Sequence, residues 1–431
     1  MKKKIISSVL LAAMVTGMLA GCGSSAETGD TSVSTDNDKV TIRFAWWGSQ
    51  DRADKTNEAV KLFMEENPDI NVETSFYPFD SYYENLSVSA TSGNTPDVFQ
   101  GYVGEGDCMQ YLSEGIMEPL DDYIADGTID TSEIADNIIN TGIYEGKTYG
   151  LALGVNVKCM IVDPDAYEKA GLTIPEVAYD SWEDLGQDLA KLKEVTGKYG
   201  ADDPFNYNFA LEYACRQNGE QLWSSTKDAS IDFSEKTYSD FYNMRMEWID
   251  QGLIPPYDVT QAANGMEDTQ FAKGNAAVRD GYSSDYPTMA AATGKELKMI
   301  LMPGPNTDEA TEMRAGMHVC MSSSSKNKEA AARLINFLIN DVDANKILNA
   351  ERGMPASNKV REELMGSFDD NQKKMAEIVD LAEEHSKAEH SMAKGNTNEL
   401  NTMLEDLDQE ILYKALTPEE AYQQLVDASG N

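Results

Sequence analysis

Histidine and basic residues are scarce in this chain of 431 residues. It contains 3 His, and its 35 Lys and Arg stand against 74 Asp and Glu, which gives a formal net charge of −39 at pH 7. Nucleic-acid backbones are bound through cationic side chains, so this balance argues against a nucleic-acid partner. It also disfavours an anionic ligand, although a local pocket can differ from the field of the whole protein.

Signatures of common enzymes are also missing. The sequence has no GxSxG elbow, no P-loop and no complete GxGxxG, because Gly104-Glu105-Gly106 lacks the third glycine. His385 and His390 are five positions apart, which is not the HExxH spacing of a zinc site. We therefore predict that the protein is not an enzyme and holds no metal and no cofactor. Paired carboxylates among the many acids leave a surface-anchored glycoside hydrolase as the enzymatic alternative.

Cysteine is rare, and its spacing shows neither CxxC nor a metal-ligand pattern. Apart from one cysteine near the N-terminus, four lie far apart in the main part of the chain. They are Cys108, Cys159, Cys215 and Cys320. We predict that these four are buried small hydrophobic residues, with a single disulfide as the alternative in an oxidising compartment.

The N-terminal segment has the features of a targeting signal. Three lysines precede an apolar stretch from Ile5 to about Ala20, which is too short to span a bilayer comfortably. It ends in Leu19-Ala20-Gly21-Cys22, which resembles the lipobox of bacterial lipoproteins. We predict a signal peptide over 1–21, lipidation of Cys22, and a flexible Ser-, Thr- and Gly-rich tether over 22–38. The mature protein is then expected to be soluble but anchored to the outer face of the cell membrane.

The chain after the tether shows alternating strand and helix patterns. Apolar residues alternate in Val40–Trp46 and again in 70–77, and a helical pattern ending near Asn67 lies between them. This arrangement predicts a β-α-β unit with parallel strands. Similar alternation continues, and Ser181 is predicted to cap a helix whose buried stripe is Leu185, Leu189 and Leu192. A nearly all-helical region begins near Leu364, and the length suits two domains, so we predict an α/β fold.

Several short motifs occur along the chain in a particular order. They are Trp46-Trp47-Gly48, Phe63 to Val72, Thr95-Pro96-Asp97-Val98, Tyr149-Gly150-Leu151, Ser181 to Leu185, Gly252 to Pro256, Phe271 to Val278 and Gly353-Met354-Pro355. Together, behind a lipobox, they resemble the extracellular solute-binding proteins of the maltose-binding type, which are the sugar-binding lipoproteins of ABC importers. The proline that is usual near Leu153 is absent here.

The resemblance implies a two-lobed periplasmic-binding-protein fold with a hinge and a ligand cleft between the lobes. The chain is expected to cross between lobes near 151–155, 300–304 and 340–344. Lobe 1 then comprises 39–153 plus 304–341, and lobe 2 comprises 154–303 plus 342–431. The resemblance also implies a carbohydrate ligand, delivery to the permease subunits of an ABC importer, and a monomeric state.

Candidate ligand-binding residues come from the loops at the carboxyl ends of predicted strands, where open α/β sheets bind ligands. Aromatic rings and polar side chains there suit a sugar, which presents CH faces and hydroxyls. The remaining candidates lie beside the inferred crossings or in an ambiguous segment. The full set is Trp47, Gln50, Arg52, Gln100, Tyr102, Asp107, Asn156, Trp223, Tyr282 and Arg352.

Each candidate has a structural alternative. Trp46 lies two positions after Phe44 in the first strand, so its side chain points to the same face and we expect it in the core. Trp47, in contrast, is expected to lie past the strand end. Gln50 and Arg52 could instead form caps or surface ion pairs. The function predicted from these observations is binding of an extracellular carbohydrate, with a polyamine or peptide ligand on the same fold as one alternative and an adhesion protein as another.

Overall fold

The computed structural model describes residues 39–104, 106–205, 208–387 and 393–429, without the side chains of Asp80, Gly106 and Asp107. The predicted signal peptide, Cys22, the tether and His390 lie outside the described residues. The strands are β1 Val40–Trp47, β2 Ile70–Tyr77, β3 Val98–Gly101, β4 Ile143–Tyr144, β5 Lys147–Thr148, β6 Gly150–Val162, β7 Gln221–Trp223, β8 Ile231–Asp232, β9 Val278–Tyr282, β10 Lys298–Leu301 and β11 Met313–Met321.

The α-helices surround these strands, which makes the fold α/β. In chain order they are α1 Gln50–Glu66, α2 Phe79–Thr91, α3 Gly106–Ser113, α4 Asp121–Ala125, α5 Asp136–Ile139, α6 Pro164–Ala170, α7 Trp182–Thr196, α8 Phe209–Gln217, α9 Glu235–Asp250, α10 Tyr257–Gln261, α11 Tyr286–Thr293, α12 Thr307–Ala310, α13 Lys328–Asn340, α14 Val342–Leu348, α15 Asn358–Leu364, α16 Asp370–His385, α17 Asn398–Leu412 and α18 Pro418–Ala428.

The main sheet has seven strands in the order β10-β6-β11-β3-β1-β2, and β9 also pairs with β6. The predicted β-α-β unit is confirmed, because β1 and β2 are parallel and in register from Val40 opposite Ile70 to Trp47 opposite Tyr77. Strand β11 runs antiparallel to both β3 and β6. The first part of the sheet therefore mixes parallel and antiparallel pairs.

Strand β6 connects two regions of the fold because it changes partners along its length. Residues 150–157 pair with β11, whereas residues 158–162 pair with β9 and 159–162 also with β10. Two hydrophobic cores lie along it. The first contains Val155 and Val157, and the second contains Met160 and Val162. One continuous strand thus contributes side chains to both cores.

The first core is built on β1, β2, β3 and β11 with α1, α13 and α16, while α7, α8, α9, α17 and α18 form the second. Helix α14 packs against α1, and its Ala344 and Leu348 lie in the first core. The assignment of 342–431 to lobe 2 stays a prediction. Residues further along the chain, such as Leu404 and Leu425, belong to the second core.

Several local predictions are confirmed. Trp46 is fully buried in the first core, as expected from its position on the same face of β1 as Phe44. Ser181 caps α7, because its Oγ accepts a hydrogen bond of 3.0 Å from the backbone N–H of Asp184. The predicted stripe of Leu185, Leu189 and Leu192 is buried in the second core. The four cysteines predicted as buried small residues are buried and unbridged.

Candidate ligand-binding cleft

Three chain segments cross in close contact where the two cores meet. The backbone of Val155 in β6 exchanges hydrogen bonds of 2.7 and 3.0 Å with Met354. Glycines permit the approach: a Cβ on Gly316 would lie 2.1 Å from the carbonyl oxygen of Arg352, and a Cβ on Gly154 would lie 2.6 Å from it. Any larger residue at these positions would separate the segments, so the glycines set the spacing of the crossing.

A narrow cleft opens beside this crossing, and two cavities form it. One is lined on the second-core side by Lys158, Phe209, Glu212, Tyr213, Arg216, Tyr282 and Thr311. The other is lined on the first-core side by Tyr102, Val103, Thr141, Ala315 and His318. Both include Glu312 and Arg314, at the start of β11, so the two cavities meet there.

The cleft is tight in this conformation. Each of its two cavities has a volume of about 20 Å³, which is room for about one water molecule. A ligand larger than water can therefore enter only if the walls separate. The walls belong to elements of different cores, so a movement of one core relative to the other would separate them.

The second-core wall of the cleft pairs aromatic rings with cations. The rings of Phe209 and Tyr282 meet edge to face with centroids 5.7 Å apart. The Lys158 ammonium lies 5.2 Å from the Tyr282 ring centroid, and the Arg314 guanidinium lies 4.7 Å from that of Phe209. Lys158 also forms an ion pair with Asp280. These contacts fix the orientation of the rings.

Tyr102 contributes an aromatic ring from the first-core side. Its centroid lies 5.2 Å from that of Trp47, which is also close to Tyr82, Tyr83 and Phe79. Trp47 is only 5% exposed, and it is absent from the lining of both cleft cavities. The aromatic cluster therefore supports Tyr102 from behind, and the contact of Trp47 with ligand stays a prediction.

Arg52, Gln100 and Arg352 form a polar network behind the cleft. Both carboxylate oxygens of Glu351 accept hydrogen bonds from Arg52 Nε, at 2.8 and 2.6 Å. Gln100 is fully buried, and its Oε1 accepts a hydrogen bond of 3.1 Å from Arg352 Nε. Burial, together with the neighbouring charge of Arg52, lowers the pKa of Arg352 to about 9. In this conformation these side chains connect protein segments, and they do not line the cleft cavities.

The other predicted residues occupy varied places. Gln50 is exposed and donates a hydrogen bond of 2.8 Å to Asp54. Trp223 is half-buried in β7 against the second core. Asn156 lies at the crossing, and its Oδ1 is buried with no hydrogen-bond partner among the described residues. Asp107 belongs to α3, but its side chain lies outside the described structure.

The structure thus brings Tyr102 and Tyr282 to the cleft, with Asn156 close by. Sequence reasoning missed Lys158, Phe209 and Arg314. A signal existed for Lys158, because it interrupts the apolar stretch of β6, and Arg314 similarly follows the buried Met313 at the start of β11. We find no comparable signal for Phe209.

Within the described ranges, no group of three or more His, Cys, Asp or Glu side chains could hold a metal ion. No helix in the same part of the chain is both long and apolar enough to cross a membrane. His318 is a packed histidine, with 3% of its surface exposed. Its Nδ1 accepts a hydrogen bond of 3.1 Å from the backbone N–H of Val103, and Nε2 lies 3.0 Å from Thr141 Oγ1.

Solved structures with the same fold come from other bacteria. An extracellular solute-binding protein of family 1 from Alicyclobacillus acidocaldarius matches with a TM-score of 0.78 and 25% identity, covering 91% of this chain and 98% of that one. A periplasmic oligogalacturonide binding protein from Yersinia enterocolitica matches with a TM-score of 0.73 and 20% identity, covering 90% and 98%. These neighbours are two-lobed, and this chain shares their fold.

The sequence itself also has characterised relatives. The arabinooligosaccharide-binding protein of Bacillus subtilis is 26% identical over 201 residues, which is 46% of this chain and 44% of that protein. A sequence model of the bacterial extracellular solute-binding proteins matches residues 47–344, which is more than half of the chain. That family consists of binding proteins, not enzymes. The chain therefore belongs to the bacterial extracellular solute-binding protein family.

Proposed function

We propose that this protein captures an extracellular oligosaccharide in the cleft and delivers it to the permease of an ABC importer. The observation that carries the proposal is the wall of Phe209 and Tyr282, held by Lys158 and Arg314, with Tyr102 in the adjoining cavity. Aromatic rings match the CH faces of a sugar, and the charged groups beside them can bind hydroxyls. The oligosaccharide ligands named for the relatives from Bacillus subtilis and Yersinia enterocolitica support the same class of ligand.

Capture requires the cleft to open and close again. The cleft as described is too small for a sugar, and its walls belong to two cores joined through β6. A ligand that contacts both walls stabilises the closed form, because it can shift the balance only by its higher affinity for that form. The closed, loaded form is the one that we propose docks on the permease, and ATP hydrolysis in partner subunits would supply the energy for uptake.

We further propose that lipidation of Cys22 keeps the protein at the outer face of the membrane. The support is the lipobox-like Leu19-Ala20-Gly21-Cys22 and the polar segment that follows it. Replacing Cys22 with Ser is expected to release the protein from the membrane fraction of the producing bacterium. A Cys22→Ser protein that still sediments with membranes would contradict the anchor without affecting the proposed ligand.

The ligand class can be tested by thermal shift on the chain from Gly23 onward. The panel would contain plant, starch, host-glycan and milk oligosaccharides, with polyamines and peptides included. A ligand that binds only the folded protein raises the melting temperature with increasing concentration. A rise with one class of oligosaccharide supports the proposal, whereas a rise with polyamines or peptides alone would retain the importer role and reject the carbohydrate.

The site itself can be tested with a matched pair of tyrosine variants. Tyr282→Ala removes a ring from the cleft wall and is expected to weaken binding of the selected oligosaccharide by about 5- to 150-fold, which corresponds to about 1–3 kcal/mol of lost contact. Tyr413→Ala is the control, since Tyr413 is exposed and its ring packs on Tyr257, outside the cleft cavities. Calorimetric titration showing equal affinities for both variants would place the ligand elsewhere.

A further inference from the structure

A larger cavity opens from the cleft on the second-core side. It shares Lys158, Phe209 and Tyr282 with the cleft and extends between the end of β9 and helix α10, down to Arg245 of α9. Its volume of about 330 Å³ falls within the range of about 300–1,000 Å³ that is typical of small-molecule pockets. This side cavity is therefore large enough for a ring-sized group in the conformation described, whereas each of the two cleft cavities has room for about one water molecule.

The cations of the side cavity are already paired with its own carboxylates. Lys158 pairs with Asp280, and a guanidinium nitrogen of Arg279 lies 3.6 Å from an oxygen of Asp285. At the floor of the side cavity, Arg245 forms ion pairs with two carboxylates. Its Nη2 lies 2.6 Å from Asp203, and its Nη1 lies 2.5 Å from Asp408.

The described lining consequently has four carboxylates against three cations. The additional negative charge is on the floor, where Asp203 and Asp408 share a single arginine and all three side chains are at most 4% exposed. Burial raises the pKa of Asp408 to about 6. The neighbouring Arg245 lowers this pKa, and the negative charge of Asp203 raises it. The buried carboxylates at the floor of the side cavity therefore disfavour any further negative charge there.

The walls of the side cavity offer contacts suited to an uncharged ring. Phe205 is buried at the base, and the rings of Phe209 and Tyr282 form the boundary with the cleft. Thr260 of α10 lines the opposite side, and its Oγ1 is buried with no hydrogen-bond partner among the described residues. A buried hydroxyl without a partner is costly, and a ligand hydroxyl would satisfy it.

We propose that the side cavity is a subsite that takes one neutral ring of the bound oligosaccharide and excludes a uronic acid ring. This inference rests on the proposed carbohydrate-binding function and specifies it further. Hydroxyls of a neutral ring donate hydrogen bonds to the carboxylate oxygens and to Thr260 Oγ1. A uronate carboxylate would instead meet the additional negative charge, and each cation of the described lining is already engaged by a carboxylate of the cavity.

The first test compares ligand chemistry and length by calorimetric titration of the chain from Gly23 onward. The probes are neutral arabinan, galactan and starch oligosaccharides of increasing length, and oligogalacturonides of the same lengths. We expect the oligogalacturonides to bind at least about tenfold more weakly than the best neutral series. Oligogalacturonides binding as tightly as the neutral sugars would overturn the inference while leaving carbohydrate binding intact.

The second test uses variants of α10 at the cavity wall. Thr260→Val keeps the shape but removes the hydroxyl, and it is expected to weaken binding of the longest neutral sugar by about fivefold. Binding of a shorter sugar that ends before the side cavity is expected to be unchanged. Thr173→Val, at an exposed position away from the cavity, is the matched control. An equal loss at every length, or no loss at all, would contradict a subsite that takes only one ring.

Charge at the cavity rim gives an independent test. Gln261 is an exposed residue of the lining, so Gln261→Lys adds a cation without disturbing the buried floor. We expect it to raise the affinity for oligogalacturonides relative to neutral sugars by about tenfold, and Gln261→Met, which adds no charge, to leave the ratio unchanged. An unchanged ratio in Gln261→Lys would refute the proposed charge selection. Failure of every probe to bind would reject the proposed function as well.

Discussion

The crossing of β6, β11 and the segment around Arg352 makes a specific prediction about Gly316. A Cβ built there lies 2.1 Å from the Arg352 carbonyl oxygen and 3.1 Å from Asn156 Nδ2. Real Cβ atoms essentially never approach backbone atoms below 3.0 Å, so Gly316→Ala must displace one of the two segments by roughly an ångström. The displaced atoms are backbone, which a rotamer change cannot relieve.

The expected cost follows from this displacement. Overpacking a tightly packed site typically destabilises a protein by about 1–3 kcal/mol, and we expect Gly316→Ala in that range. Gly366→Ala is the matched control, because a Cβ there meets no atom within 4 Å and its φ lies outside the left-handed region. That substitution is expected to be neutral, or to stabilise by up to about 1 kcal/mol by restricting the unfolded chain.

Urea unfolding followed by tryptophan fluorescence measures both variants against the unsubstituted protein. The reasoning requires a lower urea midpoint for Gly316→Ala and an unchanged or higher midpoint for Gly366→Ala. If both variants unfold at the same urea concentration, the glycines do not set the spacing of the crossing. In that case the close contact between Gly316 and Arg352 would have to relax at almost no cost.

Three further predictions concern stability. Arg245→Met leaves Asp203 and Asp408 buried without their cation, so chemical unfolding is expected to show a loss of about 3–5 kcal/mol, partly restored by adding Asp408→Asn. Burial raises the pKa values of Asp202 and Asp408 to about 6, above the unfolded value of about 4, so the folded state binds more protons between those limits. Their contribution to the unfolding free energy should therefore fall as pH rises from about 4 to 6, and Asp202→Asn should flatten the measured profile. Ser181→Ala removes the cap of α7 and should lower the melting temperature through a loss of about 1 kcal/mol, whereas Ser181→Asp should retain most of it.

Local patterns in the sequence predicted the elements that depend on local physics. Alternation in Val40–Trp46 indicated a strand and the inward direction of Trp46, because side chains of a strand alternate between its two faces. Ser181 indicated a helix start, because its hydroxyl can satisfy a backbone N–H of the first turn. In each case the residues that decide the structure are neighbours in the chain.

The cleft was predicted less well because its contacts join distant parts of the chain. Tyr102 and Tyr282 were found through the rule that ligands bind at strand ends. The same rule selected Arg52, but this residue lies in the first turn of α1, and no pattern around it indicates its ion pair with Glu351, 299 residues away. The same holds for Gln100 and Arg352, which are 252 residues apart. The residue types in a loop identify candidate ligand-binding residues, and only tertiary packing decides which of these residues face the cleft.

The position of the cleft along β6 suggests how capture and movement are coupled. The strand exchanges β11 for β9 and β10 between Val157 and Lys158, so a bend at that point lets each set of paired strands move with its own part of β6. Lys158 lies immediately past the exchange and Arg314 lies opposite Asn156 just before it. These two cations hold the aromatic wall, so a bend there would move the wall relative to Tyr102. A sugar that contacts both sides of the cleft would therefore act on the bending point itself, and that is how binding can set the angle between the two cores.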